Sequence, residues 1–214
     1  MDFSIVTVIN NLAEKRSIFT SEADFQLALA QIITETYPDN AKVRLEYCPE
    51  LIDGMYLDIL VLWTSGKEKN KWIPIELKYR TNAFHITDAD GCVYNLKEQG
   101  AQFCGCYDYL NDISRIELVK AKHKDRFKTG FAIFLTNDML YSKGPRSNSA
   151  NYYDFRISNG RTIKSNEVLY WQRNAENYVG RLDKISLKGT YEFNWQVYSI
   201  FPETSFGVLV SKVE

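Results

Sequence analysis

The chain has 214 residues, of which 45% are apolar and 25% charged, and its formal net charge is −1. These proportions argue against a disordered chain, and the charge alone gives no indication of nucleic-acid binding. No apolar run approaches the roughly 18 residues of a membrane span, so no membrane partner is expected. The N-terminus opens with an acid and lacks a small-residue cleavage site, which argues against a signal peptide. Reduced cysteines and a cytoplasmic location are therefore expected.

The first predicted helix begins at Ser21 and ends near Tyr37. Ser21 and Asp24 have the spacing of a capping box. The apolar side chains that follow recur at helical spacing and form one face: Phe25, Ala28, Leu29, Ile32 and Ile33. Glu22 lies about 20° from Leu29 on this helix, on the core-facing side. Its carboxylate is either a capping-turn charge favoured by the helix dipole or a further acid of a metal site.

Three strand-like runs follow this helix: residues 43–48, 55–63 and 72–79. The polar loop 64–70, which contains glycine, predicts that the second and third runs form a hairpin. Helices are predicted over about 94–110 and 113–126, and residues 130–136 are typical of a short strand buried on both faces. This order predicts an α/β core over residues 1–140.

Residues 115–128 contain six basic side chains against two acidic ones. Such a segment either binds phosphates or forms the solvated face of a helix. Either interpretation is compatible with the near-neutral charge of the whole chain.

The last third of the chain, residues 141–214, is rich in strand signals. Asn159-Gly160 is typical of a tight hairpin turn. Residues 190–199 alternate, and one side of the predicted strand carries Tyr191, Phe193, Trp195 and Val197. A final strand is predicted over 206–213. Because no linker precedes this part, we expect a β-rich C-terminal extension that packs on the core.

Charged residues interrupt two of the apolar strands. Asp58 lies in the second, and Glu76 and Lys78 lie two residues apart in the third, so their side chains point to one face. Ionised groups are costly in such runs unless they are paired or bound to a cation. If the strands form a hairpin, Asp58 meets this pair. Two carboxylates can hold Mg²⁺, and a lysine can orient or deprotonate a water or stabilise charge on a phosphate.

The pattern resembles the signature of a known superfamily. Asp58 is followed, after seventeen intervening residues, by Glu76-Leu77-Lys78. This spacing is similar to that of the PD-(D/E)XK (restriction endonuclease-like) nucleases. The order of predicted elements over roughly residues 15–137 resembles the same fold, which implies a restriction endonuclease-like core with a central mixed sheet flanked by helices. Leu57 stands where the name-giving proline of the family would be, which makes the motif less specific.

The resemblance implies roles for individual residues. Asp58 and Glu76 would be metal ligands, together with the backbone carbonyl of Leu77. Lys78 would be the catalytic lysine and Glu22 the acid of the first helix. A supporting glutamine on the helix after the lysine strand is also implied, and Gln102, or else Gln99, matches it.

The leading hypothesis is therefore a Mg²⁺-dependent deoxyribonuclease, with Mn²⁺ as a substitute metal, that hydrolyses phosphodiester bonds. Its expected partner is nucleic acid, DNA above all, and cleavage of both strands would favour a homodimer. One alternative is a catalytically inactive subunit of the same fold that binds DNA or serves assembly. Another, of a different class, is a protein-binding β-rich module whose core charges form a structural ion-pair network.

Overall fold

A computed structural model describes residues 2–64, 70–88, 90–173, 180–181 and 184–214. Its helices are α1 (Ile5–Lys15), α2 (Glu22–Thr36), α3 (Gln102–Lys122) and α4 (Leu140–Lys143). The first seven strands in chain order are β1 (Ala41–Tyr47), β2 (Leu57–Trp63), β3 (Lys71–Arg80), β4 (Phe84–Thr87), β5 (Val93–Leu96), β6 (Gly130–Thr136) and β7 (Thr162–Ile163). The remaining strands are β8 (Val168–Tyr170), β9 (Lys184–Ser186), β10 (Tyr191–Glu192), β11 (Gln196–Ile200) and β12 (Ser205–Val213).

A six-stranded mixed sheet forms the centre of the molecule, in the order β1-β2-β3-β6-β12-β11. Strands β3 and β6 are parallel, and the other neighbours are antiparallel. Alternate residues of β6 enter two different cores, because successive side chains of a strand point to opposite faces. Ile133 packs with α1 and α2, whereas Phe134 packs with α3. The predicted α/β class with helices on both faces of a mixed sheet is confirmed.

Helix α2 follows the prediction closely. The Ser21 hydroxyl accepts a hydrogen bond from the backbone N–H of Asp24 and caps the helix. The predicted apolar face is buried against the sheet. Helix α1 was not predicted, although its buried side chains have helical spacing: Ile5, Val8, Ile9 and Leu12. Among the described residues, no helix is long and apolar enough to cross a membrane.

The prediction of two helices over 94–110 and 113–126 is wrong. Residues 93–96 form β5, which pairs with β4 in a small hairpin, and α3 runs without a break to Lys122. Gly100 and Ala101 both have positive φ, which sets the start of α3. Asp112 does not interrupt the helix, because its carboxylate forms an ion pair with Lys78 on the sheet. The β2–β3 hairpin is confirmed, but residues 65–69 of its loop lie outside the described residues.

The C-terminal third contributes to the central sheet itself. Strand β12 lies between β6 and β11, so the predicted boundary at residue 140 falls between strands of one sheet. The single alternating strand predicted over 190–199 is instead split into β10 and β11. A register irregularity near Val197 turns that side chain to solvent. Asn159-Gly160 does not join two neighbouring strands, because β7 pairs with the distant β10.

Candidate active site

Strand β3 continues beyond the paired part of β2 and leaves part of its edge open. Pairing between the strands runs from Trp63–Lys71 to Ile59–Ile75, where it stops. Two acidic side chains accept hydrogen bonds from the next N–H groups along this edge of β3. Asp58 accepts from the N–H of Leu77 at 2.6 Å, and Glu22 accepts from the N–H of Tyr79 at 2.7 Å. The carbonyl of Leu77 lies between these two positions, on the same edge of the strand.

The position of Asp58 is fixed from both sides. Its carboxylate is bound to β3, and its own backbone carbonyl accepts a hydrogen bond of 2.7 Å from the side-chain amide of Gln26 on α2. Alternation places Asp58 on the face of the sheet that carries Glu76 and Lys78. The structure therefore brings the three predicted residues to one end of one face.

Lys78 lies at the centre of this cluster. Its ammonium is 2.8 Å from Oδ2 of Asp112 on α3 and donates a hydrogen bond of 2.9 Å to the Leu77 carbonyl. Oδ2 of Asp112 is buried, and the Lys78 ammonium is its charged partner. The ammonium is thus hydrogen-bonded to the carbonyl that, by the resemblance, would bind a metal ion.

Glu76 is almost completely buried, with 2% of the residue exposed. Its Oε1 lies 2.9 Å from Nε of Arg115 on α3, and Arg115 also donates to the carbonyl of Tyr56. Arginine therefore neutralises one of the two predicted metal ligands. Any cation that binds Glu76 has to share it with this guanidinium.

Helix α3 runs antiparallel to β3, and their charges meet as a ladder. The three pairs are Arg80–Asp108, Lys78–Asp112 and Glu76–Arg115. The helical members are four and three residues apart, and the strand members alternate, so each set occupies one face of its element. The sequence contained this double periodicity. Asp112 was nevertheless not among the predicted site residues, and Arg115 was considered only as part of the basic segment over 115–128.

Desolvation dominates the electrostatics of the cluster. Burial raises the pKa of Glu76 well above its usual value; Asp112 and Asp58 add to this, and Arg115 opposes it. Burial likewise raises the pKa of Asp112, and Lys78 opposes that shift. Burial alone would lower the pKa of Lys78, but the surrounding carboxylates, Asp112 first, raise it. Lys78 therefore remains an ammonium at neutral pH.

Glu22 is the member of the cluster that α2 contributes. The residue as a whole is exposed, but its carboxylate end lies against β3 and interacts electrostatically with Lys78 and Asp58. Desolvation raises the pKa of Glu22, and Lys78 opposes this shift. Glu22 lies in the first turn of α2, and its carboxylate accepts a hydrogen bond from Tyr79 on the sheet, so its position is compatible with both predicted roles.

These acids outnumber the cations among them. Asp58, Glu76, Asp112 and Glu22 interact with Lys78 and Arg115, and Glu22 also interacts with Arg80. When all are ionised, four carboxylates face three cations, an excess of one negative charge. A bound cation would cancel this excess and favour the ionised forms of Glu76 and Asp112.

The donor set fits a hard cation such as Mg²⁺ or Mn²⁺. No group of three or more His, Cys, Asp or Glu side chains in the described ranges is arranged to hold a metal ion. Mg²⁺ does not need such a group, because it is commonly held by one or two carboxylates and keeps several waters. Asp58, Glu76 and the Leu77 carbonyl offer oxygen ligands only, as this metal prefers.

Comparison with protein-family models, with curated proteins and with solved structures found no match. The geometry of the cluster is therefore the basis for any functional assignment.

Neither predicted glutamine joins the cluster. The amide of Gln102 donates to Asp138 at 2.8 Å, and Gln99 accepts from the N–H of Thr81 at 3.0 Å. Gln102 also lies ten residues before Asp112 on α3, which is about 15 Å along the helix axis. Because α3 runs antiparallel to β3, Gln102 lies beyond the Arg80–Asp108 pair, at the end of α3 that is farther from Glu76. The supporting role predicted for Gln102 is not compatible with this position.

We expect Gln102→Ala to leave the metal-dependent cleavage rate within about twofold of wild type. The substitution should lower the free energy of unfolding by about 1 kcal/mol, since it removes one hydrogen bond to Asp138. Thermal unfolding and a cleavage assay on the same preparation check both values. A large loss of the cleavage rate in a folded Gln102→Ala protein would show that Gln102 contributes to the site.

Proposed function

We propose that the chain is a metal-dependent nuclease that hydrolyses phosphodiester bonds, above all those of DNA. The observation that carries the proposal is the excess of carboxylates around one lysine at the open edge of β3. A buried carboxylate without a cation partner is costly unless other donors satisfy it. A site that binds a divalent cation and a phosphate needs an excess of acids and a cation beside them.

In this proposal Asp58, Glu76 and the Leu77 carbonyl hold Mg²⁺, with Mn²⁺ as a substitute. Bound metal would polarise the phosphoryl oxygen and lower the pKa of a water. Glu22 contributes negative charge at the strand edge, where it balances Lys78. Arg115 limits the cost of burying Glu76.

Lys78 acts as a fixed positive charge. Because its pKa is raised, the ammonium keeps its proton at neutral pH and is a poor general base. It instead stabilises the charge that develops on the phosphoryl group. Asp112 is a positioning residue, since it holds the ammonium at the mouth of the cluster from the helix side.

The order of the elements supports the proposal. Helix α2, strands β1, β2 and β3, helix α3 and strand β6 follow one another as the resemblance to the PD-(D/E)XK superfamily implies. The antiparallel β1–β2–β3 meander and the parallel β3–β6 pair are compatible with a restriction endonuclease-like core.

The direct test is incubation of the protein with supercoiled plasmid and with short single strands, in Mg²⁺, in Mn²⁺ and in EDTA. The proposal requires cleavage of at least one DNA in a metal and none in EDTA. Glu35→Gln changes an exposed carboxylate that pairs with Lys15, so it is the control for the effect of removing a carboxylate outside the cluster.

A second candidate is a catalytically inactive member of the same fold, and one observation favours it. Lys78 already occupies the Leu77 carbonyl, and Arg115 already pairs with Glu76. If these contacts persist in solution, the cluster binds no metal. DNA binding without metal binding or cleavage would then be the result.

The stability of a Glu76→Gln variant separates these candidates. The raised pKa of Glu76 means that its contribution to stability is present below the usual pKa of a glutamate and is lost as pH rises towards the shifted value. The variant removes this loss. In EDTA the variant should therefore lose less stability than wild type between pH 5 and pH 8, with about 2–4 °C in Tm for each kcal/mol of difference.

Metal should stabilise wild type more than the variant. At about ten times its Kd, a metal that binds only the folded state adds about 1.4 kcal/mol, and the variant should lose this gain. Thermal unfolding between pH 5 and pH 8, with and without Mn²⁺, measures both effects. Equal responses of the two proteins to Mn²⁺ would favour the inactive candidate.

A further inference from the structure

A polar cleft of about 360 Å³ opens beside the cluster. It lies between the start of α2, the end of β3, strand β5 and the segment that follows β5. Its lining residues include Ser21, Glu22, Arg80, Asn95, Lys97 and Gln99. Glu22 belongs to both the cleft and the carboxylate cluster, so the two are continuous.

Arg80 is the least satisfied arginine of this region. Asp108, its ion-pair partner, is held by Arg181 through two hydrogen bonds of 2.9 and 2.7 Å. Arg80 reaches the same carboxylate only at 3.4 Å. Its Nε is enclosed and has no hydrogen-bond partner among the described residues. The side chain is 30% exposed, so the donors left for a ligand are terminal N–H groups of the guanidinium rather than the enclosed Nε.

The position of Arg80 relates it to the proposed reaction. It lies two residues after Lys78 on the same face of β3, about 6.7 Å further along the strand. Consecutive phosphates of an extended nucleic-acid strand have a similar separation. Lys97, which is exposed, adds a second positive charge to the cleft.

We infer that Arg80, with Lys97, binds the phosphate next to the one that is cleaved. The ligand is a backbone phosphodiester of a nucleic-acid strand that enters through this cleft. Planar guanidinium groups suit phosphate oxygens, and contacts of this kind position a strand without reading its sequence. The inference rests on the proposed function, because the cluster defines which phosphate is cleaved.

The test compares wild type, Arg80→Gln, Arg80→Lys and the control Arg44→Gln, which changes an exposed arginine on β1. Binding of a fluorescent 12-nucleotide single strand is measured by anisotropy in EDTA at several salt concentrations. We expect Arg80→Gln to weaken binding about tenfold and to reduce the magnitude of the log–log salt slope by about 0.7, the value for one lost phosphate contact to a single strand. Arg80→Lys should recover the slope, and the control should match wild type.

In the cleavage assay, Arg80→Gln should raise KM about tenfold with kcat within about twofold of wild type. Asp108 keeps Arg181, so the variant should fold, and thermal unfolding verifies this. If it does not fold, Lys97→Ala, at an exposed position, is measured instead. We expect this variant to lose less affinity than Arg80→Gln would and also to reduce the magnitude of the salt slope.

The outcomes separate the subsite from the proposed function. Cleavage by wild type with unchanged KM and salt slope in Arg80→Gln overturns the subsite and leaves the nuclease proposal standing. Binding that depends on Arg80 without cleavage in Mg²⁺ or Mn²⁺ supports the subsite and overturns the nuclease proposal. Absence of oligonucleotide binding by wild type overturns the subsite as well.

Discussion

Asp58→Asn is expected to lower the metal-dependent cleavage rate by about 10³-fold, equivalent to about 4 kcal/mol of transition-state stabilisation. Asparagine is close in shape, and its carbonyl oxygen can still accept the hydrogen bond from the N–H of Leu77. The substitution therefore removes a charge and a metal ligand without opening the strand edge. Initial rates on plasmid and single-stranded DNA, in Mg²⁺ and in Mn²⁺, measure the effect.

Asp24→Asn is the matched control for this experiment. Asp24 is also half-buried, and its carboxylate also accepts a backbone N–H, that of Thr20, but it pairs with Arg16 away from the cluster. The control should lose some stability and keep its cleavage rate. Similar losses of rate in both variants would show that Asp58 acts through the fold. A fully active Asp58→Asn protein would remove it from the site.

Lys78→Met should have the largest combined effect on activity and stability. The substitution removes the ion-pair partner of the buried Asp112, and breaking a buried pair in this way costs about 3–5 kcal/mol. It should also lower the cleavage rate by about 10²- to 10³-fold, the size typical of removing one preorganised group that stabilises charge. Denaturant unfolding and cleavage kinetics measure the two losses separately.

The double variant Lys78→Met/Asp112→Asn then separates structure from catalysis. Asparagine removes the unpaired buried charge, so most of the lost stability should return. The cleavage rate should remain low, because the ammonium is still absent. Recovery of the rate together with stability would instead show that Lys78 is one rung of a structural ladder between β3 and α3.

The three central residues of the cluster could be found from the sequence because their arrangement is local. Two strands in a hairpin with alternating side chains are sufficient to bring Asp58 near Glu76 and Lys78. Ser21 likewise predicted the start of α2, and with it the position of Glu22. Each of these inferences depends on neighbours within a hairpin or one helical turn.

The remaining members depended on how distant elements pack. Asp112 and Arg115 reach the cluster only because α3 runs antiparallel along β3, and this direction is set by the packing of the helix on the sheet. The same direction places Gln102, at the start of α3, outside the cluster. The two helices predicted over 94–110 and 113–126 are one helix, and Asp112, between the predicted ranges, forms an ion pair with Lys78 on the sheet.

The position of β12 between β6 and β11 could not be predicted either. Local alternation identified residues 206–213 as a strand, yet its neighbours, β6 and β11, are chosen by pairing over very different sequence distances. Strand β6 is fully buried on both faces and needs a hydrogen-bond partner on its free edge. Strand β12 supplies it, so the C-terminal extension completes the sheet that supports the cluster.

The most direct measurement is the anomalous scattering of Mn²⁺ in crystals of the protein soaked with this metal. The proposal predicts a peak bounded by the carboxylates of Asp58 and Glu76 and the carbonyl of Leu77, with the Lys78 ammonium displaced from that carbonyl. The peak should be missing in Asp58→Asn crystals soaked in parallel. Wild-type crystals with no Mn²⁺ at this position, and with Lys78 still on the carbonyl, would contradict the metal-dependent nuclease.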